Sequence, residues 1–133
     1  MAHWLMKSEP ASYSWDDLVR DGGTEWDGVR NNAARLHLKA MAAGDEALLY
    51  HSMSDKAVVG IMRVARGPRP EARDPAWVSV RVEPVRQLAK PVTLAAIKAE
   101  PALKDMELLR QSRLSVAPVR AAEWAKVLKM GGE

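Results

Sequence analysis

Seven residues constrain the fold most: Trp77–Glu83, W-V-S-V-R-V-E. Val78, Val80 and Val82 alternate with Trp77, Ser79 and Arg81. That period of two marks an extended strand with one apolar face, and a strand needs neighbours. Shorter candidates supply them. His3–Met6 starts an apolar strand that stops at Pro10, E-A-L-L-Y-H-S (46–52) reads as another, and A-V-V-G-I-M-R-V-A (57–65) as a third with a bulge at Gly60. L-S-V-A-P-V (114–119) reads as the last.

Helices fill the intervals. Ser14 is placed to cap a short helix with Asp17 at its third position, ending near Gly22 and Gly23. Asn31 or Asn32 caps a second, whose stripe reads Ala33, Leu36, His37, Ala40 and Met41, with Gly44 as its stop. T-L-A-A-I-K-A-E forms a short helix before Pro101, and A-A-E-W-A-K-V-L-K-M an amphipathic terminal one with Trp124, Val127 and Leu128 inward. Residues 67–75 read as a proline-punctuated connection between two strands. Strands separated by turns predict an α+β domain, a curved or barrel-like, mainly antiparallel sheet surrounded by short helices. With no repeat or linker in 133 residues, residues 1–133 read as a single domain.

Composition narrows function by exclusion. Hydrophobic residues make up 47% and charged residues 28%, so the chain is globular. The absence of Cys removes disulfides and thiolate metal sites. No apolar run approaches the roughly 20 residues of a bilayer span, and the start lacks a signal-peptide pattern; a cytoplasmic protein without membrane partners is expected. Ala- and Arg-rich composition suggests a bacterial source. His3, His37 and His51 lie far apart in the chain, none with an i,i+4 ligand partner, so neither a metal nor a cofactor is expected, and no nucleophile motif marks a catalytic residue. Charge is asymmetric: residues 1–62 carry six Lys/Arg against nine Asp/Glu, and residues 63–133 carry fourteen against eight. Arg63, Arg66, Arg69 and Arg73 are candidates for a nucleic-acid backbone, and solvated strand faces explain them equally well.

What remains is four polar-aromatic clusters at element ends, where function commonly sits. They are Lys7-Ser8-Glu9-Pro10, Trp26-Asp27-Gly28-Val29-Arg30-Asn31, Tyr50-His51-Ser52 and Arg113-Leu114-Ser115. Together they offer flat aromatic surface, hydrogen-bonding groups and positive charge, the parts needed to stack a nucleobase and read its edge. Each has a structural reading as well. Trp26 can staple its loop to the core, Arg30 can pair with Asp27, and His51 can be a structural histidine. Residue chemistry alone ranks those readings first.

Several segments resemble the EVE-domain family of the PUA-like superfamily: W-L-M-K-S-E-P, Y-S-W-D-D-L, W-D-G-V-R-N, G-D-E-A-L-L-Y-H-S, P-V-T-L-A-A-I-K and R-L-S-V-A-P-V, in that order along the chain. The resemblance implies a PUA-like pseudo-barrel. In that superfamily relatives bind RNA, YTH and SRA domains hold a modified base in a pocket, and EVE domains are linked to modified DNA bases, including methylated cytosine. It implies Lys7, Ser8, Trp26, Arg30, Asn31, Tyr50, His51, Arg113 and Ser115 as ligand-binding residues, with Glu9 and Trp4 secondary. One departure is Arg35, in a region where the family is expected to carry a further Asn.

The reading is a module that binds DNA or RNA and recognises a modified base, its oligomeric state open with a monomer expected. Trp26 and Tyr50 would stack, while Ser8, Asn31, His51 and Ser115 would read the base edge. Lys7, Arg30 and Arg113 would hold phosphate or a base carbonyl. Two alternatives stand beside it. One is a small nucleic-acid- or nucleoside-processing enzyme of the ASCH type using Lys7, Glu9, Tyr50 and His51. The other is a protein-interaction domain with an exposed apolar patch at Trp124.

Overall fold

The computed structural model describes residues 2–53 and 56–133. Among these residues six strands, β1 (His3–Ser8), β2 (Thr24–Trp26), β3 (Glu46–His51), β4 (Ala57–Pro70), β5 (Val78–Thr93) and β6 (Val116–Val119), form one sheet in the order β2-β5-β4-β3-β1-β6. Among the described residues only β1 and β3 pair in parallel; the other pairings are antiparallel. Five helices among the described residues, α1 (Trp15–Asp21), α2 (Asn32–Ala40), α3 (Leu94–Ala99), α4 (Glu107–Arg110) and α5 (Ala121–Met130), and a 3₁₀ turn at Pro101–Leu103 pack around it.

Local chemistry sets the helix ends. Ser14 Oγ accepts from Asp17 N at 3.1 Å while the Asp17 carboxylate accepts from Ser14 N at 2.9 Å, the expected capping box. Gly22, at φ 71, closes α1 in the left-handed region. Asn31, not Asn32, caps α2 by accepting from Ala34 N at 2.9 Å. The α2 stripe agrees with the expected one at Met41, which is buried, and differs before it: Ala34 and Leu38 are buried, while Ala33 and Ala40 are exposed and Leu36 is 59% exposed. Both sets have helical spacing, and one residue of offset turns the face by about 100°. Alanines on either side left the choice to tertiary contacts, which bring α2 against β4, β5 and β6. Gly44, expected to stop α2, instead serves the turn after it, where its N–H donates to Val64 O at 2.8 Å.

The sheet buries both faces. Trp4 and Met6 of β1, Ala47 and Leu49 of β3, and Val80 and Val82 of β5 join α1 and α2 in one core. Leu5, Leu48, Tyr50 and Val58 face the other, under the later helices and Trp124. Along β4 the phase changes: Ala57 and Val59 face the first core, and so do Met62 and Val64. The odd-to-even switch needs irregular residues between them, and pairing shifts register on both sides of Gly60. Gly60 is where the Trp15 ring lies; a Cβ there would come within 2.4 Å of Trp15 Cζ3. Gly60→Ala is therefore expected to lower stability by about 1–3 kcal/mol through overpacking, measured as a fall in the urea midpoint at unchanged m-value.

The β4–β5 hairpin is longer than expected. Arg66–Pro70 continue β4, paired with Val78–Arg81, so the connection shrinks to residues 71–77. β3 accompanies β4 only as far as Arg63, which leaves one side of β4 without a ladder, where prolines are tolerated. Repeated register shifts along this hairpin add bend and twist. The curvature is visible in what meets: β2 and β1 are four places apart in the sheet, about 19 Å if it were flat, yet residues of both line one cavity.

Candidate functional site

That cavity, about 360 Å³, lies between the C-terminal end of β1, the residue preceding β6, and β2 with the loop that follows it. Of the nine candidates, it gathers Lys7, Ser8, Trp26, Arg30 and Ser115. Asn31 and Arg113 line a neighbouring cavity. Tyr50 lines a third, together with Lys7, which borders both the first and the third. His51 lines none of these; it is 7% exposed and its Nε2 accepts from Trp15 N at 3.1 Å. The four clusters thus converge in part, with Lys7 at the junction.

Parallel pairing explains that junction. β1 and β3 run side by side with Lys7 opposite Tyr50 and Ser8 opposite His51, and Lys7 N–H donates to Ser115 O at 2.9 Å. Three clusters distant in sequence therefore end at one rim. Lys7 Nζ donates to Ser112 O at 2.8 Å and sits 5.9 Å from the Tyr50 ring centroid. Burial pushes the Lys7 ammonium below the ordinary lysine range and the Tyr50 phenol above its own. Ser8 Oγ donates to Tyr13 O at 2.7 Å.

Trp26 belongs to the first core and to the cavity at once, at 8% exposure. It ends β2, where it pairs with Val80. What looks like a polar loop in sequence is thus partly an edge strand. After it the chain turns at Gly28, φ 76, a conformation that disfavours a side chain. Glu71, 43 residues further along the chain and with a side chain 3% exposed, locks the turn. Its carboxylate accepts from Gly28 N at 3.1 Å and from both Arg30 terminal nitrogens at 2.9 Å. The Arg30 bonds hold the Glu71 carboxyl below the usual range against the opposing effect of burial, helped by the Gly28 bond. The Arg30 and Arg35 guanidinium carbons lie 5.2 and 5.3 Å from the Trp77 ring centroid. Arg30 is thereby a fastener of the loop: its side-chain ion pair is with Glu71, and Asp27 adds only a lesser Coulombic attraction.

The other cations are less concentrated than their sequence spacing suggests. Arg63 pairs with Glu83 at 2.8 Å, Arg66 with Glu25 at 2.8 Å and Arg69 with Glu25 at 3.6 Å. Arg69 and Arg73 line a separate cavity that Glu25 and Asp27 also border. Of the secondary candidates, Trp4 Nε1 donates to Asp45 at 3.0 Å and Glu9 is exposed; neither lines the cavity. Trp124 is 7% exposed and stacks on His3 at 4.2 Å, so the exposed patch expected there is absent. Lys7, Glu9, Tyr50 and His51 do not share one cavity. Among the described residues no group of three metal-ligating side chains occurs, and no helix is long and apolar enough to cross a membrane.

Sequence reasoning missed Tyr13, Thr24, Glu25, Asp27 and Val29 as lining residues. Tyr13, Asp27 and Val29 stood inside the motifs already quoted. Thr24 and Glu25 sit on a strand too short to show a period. Glu71 and Trp77 gave no signal, because their roles depend on contacts some 41 residues away.

Comparison with known proteins places this architecture. The EVE domain model matches residues 2–130. A solved protein from Rhodopseudomonas palustris is 50% identical and superposes with a TM-score of 0.95, covering 99% of this chain and 94% of that one. Human thymocyte nuclear protein 1 is 33% identical over 97% of this chain and 73% of its own length. Its structure in complex with DNA containing 5-methylcytosine superposes at a TM-score of 0.92, covering 100% of this chain and 99% of that one. A YTH domain from Zygosaccharomyces rouxii, at 15% identity and a TM-score of 0.63 over 98% of this chain and 86% of that one, shares the fold. The curved sheet with its surrounding helices is the PUA-like fold, and this chain belongs to the EVE-domain family.

Proposed function

We propose that this domain binds DNA and takes one modified base, of the 5-methylcytosine type, into the cavity between Trp26 and the end of β1. One observation carries the reading: five of the nine candidate residues share a cavity of about 360 Å³ in a chain 31% identical to a protein solved with 5-methylcytosine DNA. That volume falls in the range of small-molecule pockets. Trp26 and Val29 supply apolar wall for a methyl group, and Lys7, Ser8 and Ser115 supply polar groups for the base edge. A duplex base reaches such a pocket only by leaving the stack. Phosphate contacts fall to Arg113, which is exposed beside the adjoining cavity, ahead of Arg63, Arg66 and Arg69, whose charges meet carboxylates. Tyr50 supports Lys7 from behind, and His51 holds the start of α1.

Fluorescence anisotropy with oligonucleotides that differ only in one base checks this. A preference of about tenfold for 5-methylcytosine over cytosine is expected, the discrimination one methyl group supports in an apolar pocket. Matched RNA oligonucleotides show which nucleic acid is favoured. Equal binding to every oligonucleotide, abolished by salt, would leave only backbone electrostatics and end the proposal.

A further inference from the structure

Two carboxylates, Glu25 and Asp27, line the same cavity as Lys7 and Trp26. A negative wall is unfavourable in a pocket for a polyanion unless a ligand donor meets it. Glu25 is already engaged: it accepts from Arg66 at 2.8 Å and from Ser79 Oγ at 3.1 Å, with Arg69 also near. Asp27 is different. It is exposed just after β2, its carboxylate makes no hydrogen bond to any described residue, and it meets Arg30 only through Coulombic attraction. The cation beside it in sequence, Arg30, donates to Glu71 through both terminal nitrogens. The cavity therefore offers an open acceptor at Asp27, and Lys7 on its rim carries an ammonium beside Tyr50 that spends one of its three hydrogens on Ser112 O.

We infer that Asp27 is a specificity-determining residue, which makes the cavity select bases bearing an exocyclic amino group over bases presenting a carbonyl there. The inference rests on the base-pocket reading above. Cytosine- and adenine-type bases place an amino donor beside a ring-nitrogen acceptor, the complement of an Asp27–Lys7 pair. A thymine-type base presents a carbonyl where Asp27 needs a donor, so two acceptors would face each other. Carboxylates accept from the cytosine amino group in just this manner in direct base readout. The exposure of Asp27 and its lack of hydrogen bonds mean that its replacement leaves the fold intact.

The decisive pair is 5-methylcytosine and thymine at one position of otherwise identical single-stranded oligonucleotides. Both carry the 5-methyl group; they differ at position 4, amino against carbonyl, and in the proton at ring position 3. Wild-type protein is expected to bind the 5-methylcytosine strand about tenfold more tightly or better. Asp27→Asn, whose amide can donate to a carbonyl, is expected to bring the two within about threefold of each other. An unchanged melting temperature would confirm that the fold is intact. Wild-type protein that prefers both methylated bases over cytosine without separating them overturns the role of Asp27 and leaves the pocket standing. Asp27→Asn that tightens all strands equally also overturns it, because that is charge relief alone. Equal binding of the cytosine, 5-methylcytosine and thymine strands overturns the pocket itself, and this inference with it.

Discussion

Trp26→Ala is expected to lose about 3–5 kcal/mol of stability, the cost of truncating a large core aromatic, and with it the selective base binding. The two losses share a cause. At 8% exposure the indole belongs to the first core, which also holds Val29, Ala34 and Val80, while lining the cavity as well. Deleting it opens a void that joins the cavity, and the loop through Arg30 loses its backing. A destabilised variant alone would not prove contact with a base. Trp26→Phe separates the effects: it retains most of the buried area, so its urea midpoint should stay closer to wild type. Base stacking is worth roughly 1–3 kcal/mol, and a smaller ring recovers part of it. Binding by Trp26→Phe should therefore weaken several-fold with the fold intact. Unchanged binding by a folded Trp26→Phe would leave the indole as a staple only.

The second large effect is at Glu71. Glu71→Ala removes a nearly buried carboxylate that answers Arg30 twice and Gly28 once. Breaking a buried ion pair costs about 3–5 kcal/mol. Arg30 is 41% exposed and recovers some hydration, so about 2–3 kcal/mol is the expected loss here. Binding should fall as well, because the loop from Gly28 to Arg30 is a wall of the cavity.

Its pH dependence has a definite sign. The Glu71 carboxyl is held below the ordinary glutamate range in the folded state, first by its bonds from Arg30. Its stabilisation is therefore fully present above the unfolded value of about 4.3 and is lost as pH falls through the lower folded value. The stability difference between wild type and Glu71→Gln should be constant near neutrality and shrink below about pH 4.3, as seen in urea titrations at a series of pH values. A difference that stays constant down to pH 2 would show that the pairing contributes little.

How much of this was readable depends on range. The capping box at Ser14 and Asp17, the Gly22 stop and the valine alternation at 78–82 were legible because each involves neighbours within four residues. Gly60 was legible as an irregularity, though not its reason, which is the Trp15 ring. β2 was invisible: three residues at an edge carry no period, and only pairing with β5 makes them a strand. The α2 stripe was misplaced by one residue because alanines fit either face.

The site divides the same way. Its ingredients stood in motifs, at Lys7-Ser8, Trp26 to Arg30 and Ser115, because chemistry at element ends needs particular side chains. Their assembly was settled by parallel pairing of β1 with β3 and by the curl that brings β2 toward β1. The same pairing put Tyr50 against Lys7, with Lys7 lining the cavity and Tyr50 outside it. Sequence by itself determined the strands with clear alternation, the helix caps and the inventory of polar and aromatic groups, since local sterics and hydrogen bonds act over a few residues. Tertiary structure alone decided that Trp26 serves core and cavity together, that Glu71 occupies Arg30, and that Asp27 is left with an open carboxylate. Those outcomes depend on which distant groups the curved sheet brings within hydrogen-bonding distance, and no local pattern encodes that.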